Sequence, residues 1–270
     1  MIQLPRMGTL FAVLLVLTGH AVEPQAIPYQ LMPYAGDIKV ETFEPGIEDE
    51  NRYTANNRVY TAGRSLSYRY SYTSVAGERR SFDFVDEDFV FVDEDPTKNR
   101  IELKVQAGTK PMSDWIPGYN QTVFSYHYAQ KEPYEITGLI ENRANVWIHP
   151  PRSGLFRVLE LNPFPSAVFP LEEGRTWFWS VYAGTQWSDE RWATYDEQLF
   201  IESTYTVTGD DVIEHESLGT LDVARIDAIG KSDIGETRLE ALYHLDYGFV
   251  RLDYTNIDGS RIRFDLVDVR

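Results

Sequence analysis

Tryptophan side chains are concentrated in one short stretch of the sequence. Trp177, Trp179, Trp187 and Trp192 fall within 16 residues. Aromatic rings can stack on sugars or line an apolar cavity, and Trp177 and Trp179 point to the same side of an extended chain. Together with Tyr126, which lies in an earlier alternating run, they are the predicted ligand-binding residues. Packing of the same rings in the core is the other interpretation, because each indole buries a large apolar area.

Two acidic triplets, at residues 86–88 and 93–95, flank the apolar run 89–92. Their six carboxylates could chelate calcium, but the glycine and terminal glutamate of an EF-hand loop are missing from the spacing. Charged residues at the ends of an apolar strand also discourage edge-to-edge aggregation. We therefore expect a buried strand with acidic ends, and no metal site is predicted.

One histidine stands in an unusual context, directly before two prolines in Trp147-Ile148-His149-Pro150-Pro151-Arg152. The prolines restrict the backbone and should end a strand there, which leaves the imidazole near the rim of the sheet. The histidines at 127, 215 and 244 lie in separate contexts without metal-ligand spacing. We expect His149 to be hydrogen-bonded locally rather than to bind a metal.

Short catalytic motifs are missing from the sequence. It contains no nucleophile elbow, no His-Glu-x-x-His, no P-loop and no dinucleotide-binding glycine pattern. No catalytic residue and no cofactor is therefore predicted. The 42 acidic residues could still supply the carboxylate pair of a glycosidase, although the sequence alone does not identify such a pair.

The first 21 residues have the order of a secretory signal peptide. Arg6 precedes the apolar stretch 7–17, and Gly19-His20-Ala21 offers small residues for cleavage. The apolar stretch is shorter than the roughly 20 residues that span a bilayer. We predict a periplasmic or secreted protein that meets the membrane only through this transient signal.

Charge and cysteine content narrow the possible partners. The formal charge is −17 and there are no cysteines. Nucleic acid is excluded as a partner, since phosphate contacts need clustered lysine and arginine. Without disulfides, stability in an oxidising compartment must come from a large buried core.

The mature sequence alternates between apolar and polar residues in many runs, such as 65–72, 101–107, 124–128 and 238–245. This period of two is typical of half-buried strands, and no long helical pattern competes with it. The predicted fold class is all-β: a large curved antiparallel sheet, either a half-barrel or a β-sandwich, with little helix outside the signal peptide. We divide it into β subdomains at 22–142 and 143–270, which form one continuous fold.

The last hairpin allows a prediction of register. A two-residue turn at Asp258-Gly259 would pair apolar with charged residues, whereas a loop of residues 257–259 pairs Tyr254 with Ile262 and Leu252 with Phe264. The longer loop is therefore expected, with Gly259 in the left-handed conformation.

Glycine-containing strand segments run through the C-terminal part: Tyr205-Thr206-Val207-Thr208-Gly209, the segment 218–226 beginning Leu218-Gly219-Thr220, Gly235-Glu236-Thr237 and Tyr247-Gly248-Phe249-Val250. In these segments the chain resembles families of uncharacterised exported bacterial β-proteins. The resemblance covers about residues 200–270 and extends back toward Trp147. It implies an extracytoplasmic curved antiparallel sheet and carries no catalytic residues or substrate.

These observations favour an exported, non-catalytic protein that binds a hydrophobic small molecule or a lipid-like component of the cell envelope. Two alternatives remain open: an envelope polysaccharide hydrolase that uses a carboxylate pair, and an outer-membrane β-barrel, since strands rich in tyrosine and phenylalanine resemble lipid-facing girdles.

Overall fold

Strands form wherever apolar and polar residues alternate. The computed structural model describes residues 27–47, 49–86, 88–130 and 134–270, so the predicted signal peptide at 1–21 lies outside the described residues. The strands are β1 Gln30–Ala35, β2 Ile38–Thr42, β3 Ser65–Thr73, β4 Arg79–Val85, β5 Asp88–Asp93, β6 Arg100–Val105, β7 Thr122–Tyr128, β8 Glu135–Glu141, β9 Asn145–Ile148, β10 Ser166–Val168, β11 Thr176–Ala183, β12 Leu199–His215, β13 Gly219–Ser232, β14 Gly235–His244, β15 Gly248–Thr255 and β16 Arg261–Val269.

Helical structure in the described ranges is short. It consists of α1 (Met112–Trp115) and two 3₁₀ segments, Gly154–Leu161 and Thr185–Trp187. None of the helices in this part of the chain has the length and hydropathy of a bilayer-crossing segment.

Twelve strands pair antiparallel in the order β10-β9-β8-β7-β6-β3-β16-β15-β14-β13-β12-β11. The sheet curls until it is nearly closed into a barrel. Its edge strands β10 and β11 meet where the Trp177 Nε1–H donates to Ser166 Oγ at 3.1 Å. The predicted all-β fold with a curved antiparallel sheet is confirmed, and the curvature is stronger than that of an open half-barrel.

The sheet joins the N-terminal and C-terminal parts of the chain through β3 and β16, which pair along their length. The pairing of β8 with β9 also crosses the proposed division at residue 142, since β8 ends before it and β9 begins after it. The two subdomains at 22–142 and 143–270 remain a prediction.

The hairpin of β15 and β16 has the expected register. Tyr254 pairs with Ile262 and Leu252 with Phe264. Gly259 has φ 84° in the connecting loop, where a side chain would be strained. The prediction of the longer loop is confirmed.

The chain between β9 and β10 fills the inside of the barrel. We call residues 149–165 the plug. Every residue of its 3₁₀ segment Gly154–Leu161 except Arg157 is buried. Phe156 packs against Tyr70, Phe82 and Phe264 at ring-centroid distances of 5.0–5.5 Å. The sequence pattern predicted no such interior segment.

Buried hydrogen bonds fix the plug to the barrel wall. The Tyr205 hydroxyl donates to the Phe164 carbonyl at 2.8 Å, and the Thr237 hydroxyl donates to the Leu161 carbonyl at 3.0 Å. Because these backbone carbonyls are remote from water, such bonds prevent the cost of leaving a buried acceptor unpaired.

The hairpin β1–β2 lies across the place where the barrel edges meet. The Asp37 amide donates to the Phe178 carbonyl of β11, and the Phe178 amide donates to Asp37 Oδ2, both at 3.0 Å. The Lys39 amide donates to Asn145 Oδ1 of β9 at 2.8 Å. The hairpin therefore bridges both sides of the gap.

Strands β12 and β13 continue beyond their neighbours as a two-stranded arm, residues 209–223. It begins at a bulge beside Gly209, where the register shifts. The tip returns to β16, where His215 Nε2–H donates to the Leu266 carbonyl at 2.7 Å and Ser217 Oγ donates to the Val267 carbonyl at 2.6 Å. Leu221 and Val223 are buried, so one face of the arm covers the end of the barrel.

Candidate functional site

Two of the predicted ligand-binding tryptophans are part of the core. Trp177 and Trp179 each expose only 3% of their surface. Trp177 stacks on Tyr205 at 5.3 Å between ring centroids, while Trp179 packs on Phe164 of the plug at 4.6 Å. Both indoles point inward as the alternation predicts, but their ring surfaces are covered by other side chains of the protein.

The other two tryptophans lie in the connection between β11 and β12. Trp192 Nε1–H donates to the Trp187 carbonyl at 3.0 Å, and both side chains are partly buried. The Arg191 guanidinium lies 4.1 Å from the centre of the Phe89 ring and 5.3 Å from that of Trp192. The structure thus divides the four tryptophans into an inner and an outer pair.

Tyr126 lines the barrel interior beside the plug. Its hydroxyl donates to the His149 carbonyl at 3.0 Å. A cavity of about 30 Å³ adjoins it, bordered by residues such as Tyr68, Pro165 and Tyr254. A space of this size holds about one water molecule, whereas a benzene-sized ligand needs roughly 150 Å³. The cavity beside Tyr126 is therefore too small for an acyl chain.

Four ionisable residues meet where the plug enters the barrel. Glu135 Oε2 accepts hydrogen bonds from the Arg152 amide at 3.0 Å, the Ser153 hydroxyl at 3.0 Å and the Tyr128 hydroxyl at 2.7 Å. His149 Nε2 lies 3.3 Å from Glu160 Oε1 and 3.3 Å from Arg152 Nη1.

Burial controls the protonation of this ionisable cluster. It raises the pKa of Glu135 above its ordinary value and the pKa of Glu160 to about 7. Burial and the nearby Arg152 lower the pKa of His149 to about 3, so the imidazole is neutral. Its Nδ1–H donates to the Pro150 carbonyl at 2.9 Å, which confirms the local hydrogen bond expected for His149. The ring itself packs 4.8 Å from Phe164 in the interior rather than at the sheet rim.

The strand expected between the acidic triplets forms as β5, with Asp88 and Asp93 at its ends, but it is not fully buried; residue 87 lies outside the described residues. In β5, Phe89 is buried while Val90 and Phe91 are exposed, because β4 and β5 form a hairpin at the side of the barrel. Asp88 is 2.9 Å from Arg191 Nη2. In the described part of the chain, no three acidic or histidine side chains are placed to hold a metal ion.

An open groove lies at the base of the arm, at one end of the barrel. We call it the rim groove; its volume is about 610 Å³. It is lined by Phe169, Pro170, Leu171, Asp210, Asp211, Val212, Asp222, Val223, Ala224, Tyr243 and Leu245. Val212 is 61% exposed and Leu245 is 51% exposed, so large apolar side chains face solvent there.

Three carboxylates border the apolar part of the rim groove. None of Asp210, Asp211 and Asp222 forms an ion pair with another described residue, although Asp211 Oδ1 accepts the Val212 amide at 2.8 Å. Sequence reasoning missed this site. Its signal is the break in alternation at Gly209-Asp210-Asp211-Val212, where two acids follow a glycine within a strand.

No family model matches the chain, and no curated protein matches it. Among solved structures, the chain is similar to a "putative exported protein with YmcC-like fold" from Bacteroides fragilis, with 9% identity and a TM-score of 0.37 over 79% of this chain and 98% of that one. It is also similar to the hypothetical lipoprotein YmcC from Escherichia coli, with 9% identity and a TM-score of 0.35 over 83% and 90%.

Proposed function

We propose that this chain is an extracytoplasmic, non-catalytic binding protein for a partly hydrophobic component of the cell envelope, and that the ligand occupies the rim groove. The observation that carries the proposal is the groove of about 610 Å³ with exposed apolar side chains, beside an interior whose cavity measures about 30 Å³. Small-molecule sites are typically 300–1,000 Å³ and mostly apolar. The secretory signal predicted at residues 1–21 supports the location.

A ligand-binding role for Trp177, Trp179, Trp187, Trp192 and Tyr126 stays a prediction, and the proposed ligand lies against other residues. Trp177, Trp179 and Tyr126 hold the plug and the wall of the barrel, while Trp187 and Trp192 pack in a surface connection. Ligand contact shifts to Leu171, Val212 and Leu245, which border the rim groove.

The charge at the groove defines the ligand further. Unpaired carboxylates next to an apolar surface attract a positive group, and the surrounding protein, at −17, reinforces that field. The ligand is therefore an amphiphile with an apolar portion and an amine or other cationic group.

The test is calorimetric titration with dodecylammonium, with dodecyl sulfate as the anionic counterpart, each below its micelle concentration. The wild-type protein binds dodecylammonium more tightly. The double variant Val212→Asp/Leu245→Asp loses at least about tenfold in affinity, because both apolar contacts become charged. Val75→Asp is the matched control, since Val75 is 69% exposed at a different place. Equal affinity in the double variant and the control contradicts the proposal.

The hydrolase alternative remains a prediction. Glu135 and Glu160 are buried and their pKa values are raised, which suits a general acid, but in the plugged interior a sugar chain reaches them only if the plug moves. This function predicts release of reducing sugar from envelope polysaccharide, and at least about a hundredfold loss of that activity in Glu160→Gln. Hydrolysis at the same rate by this variant contradicts it.

A further inference from the structure

Two arginines face each other on neighbouring strands of the outer barrel surface. Arg69 of β3 and Arg100 of β6 are directly opposed partners in the antiparallel ladder, and both are exposed. Opposed residues have Cβ atoms about 4.5–5.5 Å apart, and like charges in such positions destabilise a sheet. Their juxtaposition therefore needs a compensating negative group.

The neighbouring carboxylates are already engaged by other arginines. Asp265 lies opposite Arg69 on β16 but is bound by Arg251 at 2.7 Å and Arg263 at 3.1 Å. Within the described ranges, Arg69 and Arg100 form no ion pair. No carboxylate among the described residues therefore offsets the charges of these two opposed arginines.

The local charge contrasts with that of the whole molecule. Arg79, which is paired with Glu94 at 3.1 Å, borders the same groove as Arg69, Arg100 and Asp265. The lining thus holds three arginines and two carboxylates, a formal charge of +1 in a chain of −17. The groove is therefore locally positive although the whole chain is strongly negative.

Polar groups in this groove can take part in binding. Its volume is about 700 Å³, and Ser71 of β3 and Asn99 border it. The hydroxyl of Ser71 and the side-chain N–H groups of Asn99 are of the donor type that a phosphate oxygen accepts.

We propose that this arginine groove binds a phosphate group, with Arg69 and Arg100 as its direct ligands. A guanidinium presents parallel N–H donors that match two oxygens of one phosphate, and two opposed arginines can hold it from both sides. The bound anion removes the repulsion between them. The arginine groove shares no lining residue with the rim groove, so this proposal is independent of the proposed function.

Two sources of the phosphate can be separated by the probe. One arm titrates inorganic phosphate into the protein by calorimetry, at an ionic strength held constant with sodium chloride. The other arm measures co-sedimentation with phosphatidylglycerol vesicles against phosphatidylcholine vesicles. Binding of the anionic vesicles indicates a lipid headgroup, whereas binding of free phosphate alone indicates a soluble phosphorylated ligand.

The variant Arg69→Gln/Arg100→Gln loses at least about tenfold in affinity for whichever probe binds the wild type. In phosphate-free buffer its melting temperature is equal to or higher than that of the wild type, because the like-charge repulsion is gone. A purely structural role of the arginines would lower it. Arg225→Gln/Arg238→Gln is the control, as both arginines are exposed on β13 and β14 and away from the groove. Equal losses in the two double variants, or no binding of either probe by the wild type, overturn the proposal.

Discussion

At the scale of single residues, burial of ionisable groups distinguishes this chain from an ordinary apolar barrel. Glu160 lies against His149, with Arg152, Glu135 and Tyr195 as further charged or titratable neighbours. Its raised pKa means that the folded protein holds this proton more tightly than the unfolded chain does. The contribution of protonated Glu160 to the free energy of unfolding is fully present below pH 4.5, the ordinary pKa of a glutamate. It is lost as the pH rises to about 7, the pKa of Glu160 in the fold.

Replacement of this carboxyl by an amide should therefore change the pH dependence of stability. Gln does not ionise, so the stability of Glu160→Gln relative to wild type rises between pH 5 and pH 8, by on the order of 2 kcal/mol. Urea unfolding at both pH values measures the difference. Because the pKa of His149 is lowered, folding keeps this imidazole neutral, and the stability gained in this way increases as the pH rises to about 6.5. Wild type and Glu160→Gln share this contribution, so it does not enter their difference.

Asp95→Asn provides the control with the opposite sign. The hydrogen bond from Thr97 Oγ1, 2.7 Å long, lowers the pKa of Asp95, so its stabilisation is present at neutral pH and lost in acid. Its stability relative to wild type should change only in acid, below the ordinary pKa of 3.8, and stay flat between pH 5 and pH 8. A Glu160→Gln variant that is equally flat between pH 5 and pH 8 would contradict a raised pKa of Glu160.

At the scale of elements, the hairpin β1–β2 depends on a close approach to the edge strand β11. Gly36 has φ 55°, and a Cβ atom there would lie 2.9 Å from the Trp179 Cα and would also overlap the Phe178 carbonyl. Gly46 has φ 95° and open space around it. A side chain at either position would strain the backbone, but only at Gly36 would its Cβ atom also collide with neighbouring atoms.

The substitution Gly36→Ala should therefore cost more stability than Gly46→Ala. We expect about 1–2 kcal/mol for the backbone conformation in each case, and at least about 1 kcal/mol more at Gly36. Chemical denaturation gives both values, and hydrogen exchange at the Asp37 and Phe178 amides shows whether the hairpin has moved. Equal losses at the two glycines would mean that the hairpin adapts without cost.

The elements that the sequence predicts well are those with local rules. Alternation identifies β3, β6, β7 and β14, and apolar matching across Tyr254 and Ile262 fixes the register of the last hairpin. The plug lacks such a rule. Its apolar residues Leu155, Phe156 and Leu159 are buried by distant strands, and nothing local distinguishes an interior segment from a surface loop between prolines.

The lack of a local rule also explains why the sequence did not identify the candidate site. Alternation places Trp177 and Trp179 on the inner face, but an inner face serves equally as core or as pocket wall. Only the position of the plug decides between them. The rim groove combines segments more than 70 residues apart in sequence, Phe169 and Tyr243 among them, so the break in alternation at residues 209–212 marks one of its strands but not the groove itself.

At the scale of the whole molecule, the six tryptophans report where a ligand binds. No tryptophan lines the rim groove, and Trp115, which is 66% exposed, is the most accessible to acrylamide among Trp115, Trp177 and Trp179. Saturation with dodecylammonium should leave acrylamide quenching unchanged, whereas Trp115→Phe should lower it. Protection of tryptophan emission by the ligand would instead indicate entry into the barrel interior and displacement of the plug.

The position of β16 between β3 and β15 has a consequence for biogenesis. In the described sheet, the backbone pairing between the strands before residue 106 and those after residue 198 runs through β16, so this ladder is complete only once residues 261–269 have been synthesised. A nascent chain of this design cannot complete its tertiary structure early, and pairing of such distant segments is slow. Completion of the barrel is therefore expected to follow the synthesis of the chain rather than to accompany it.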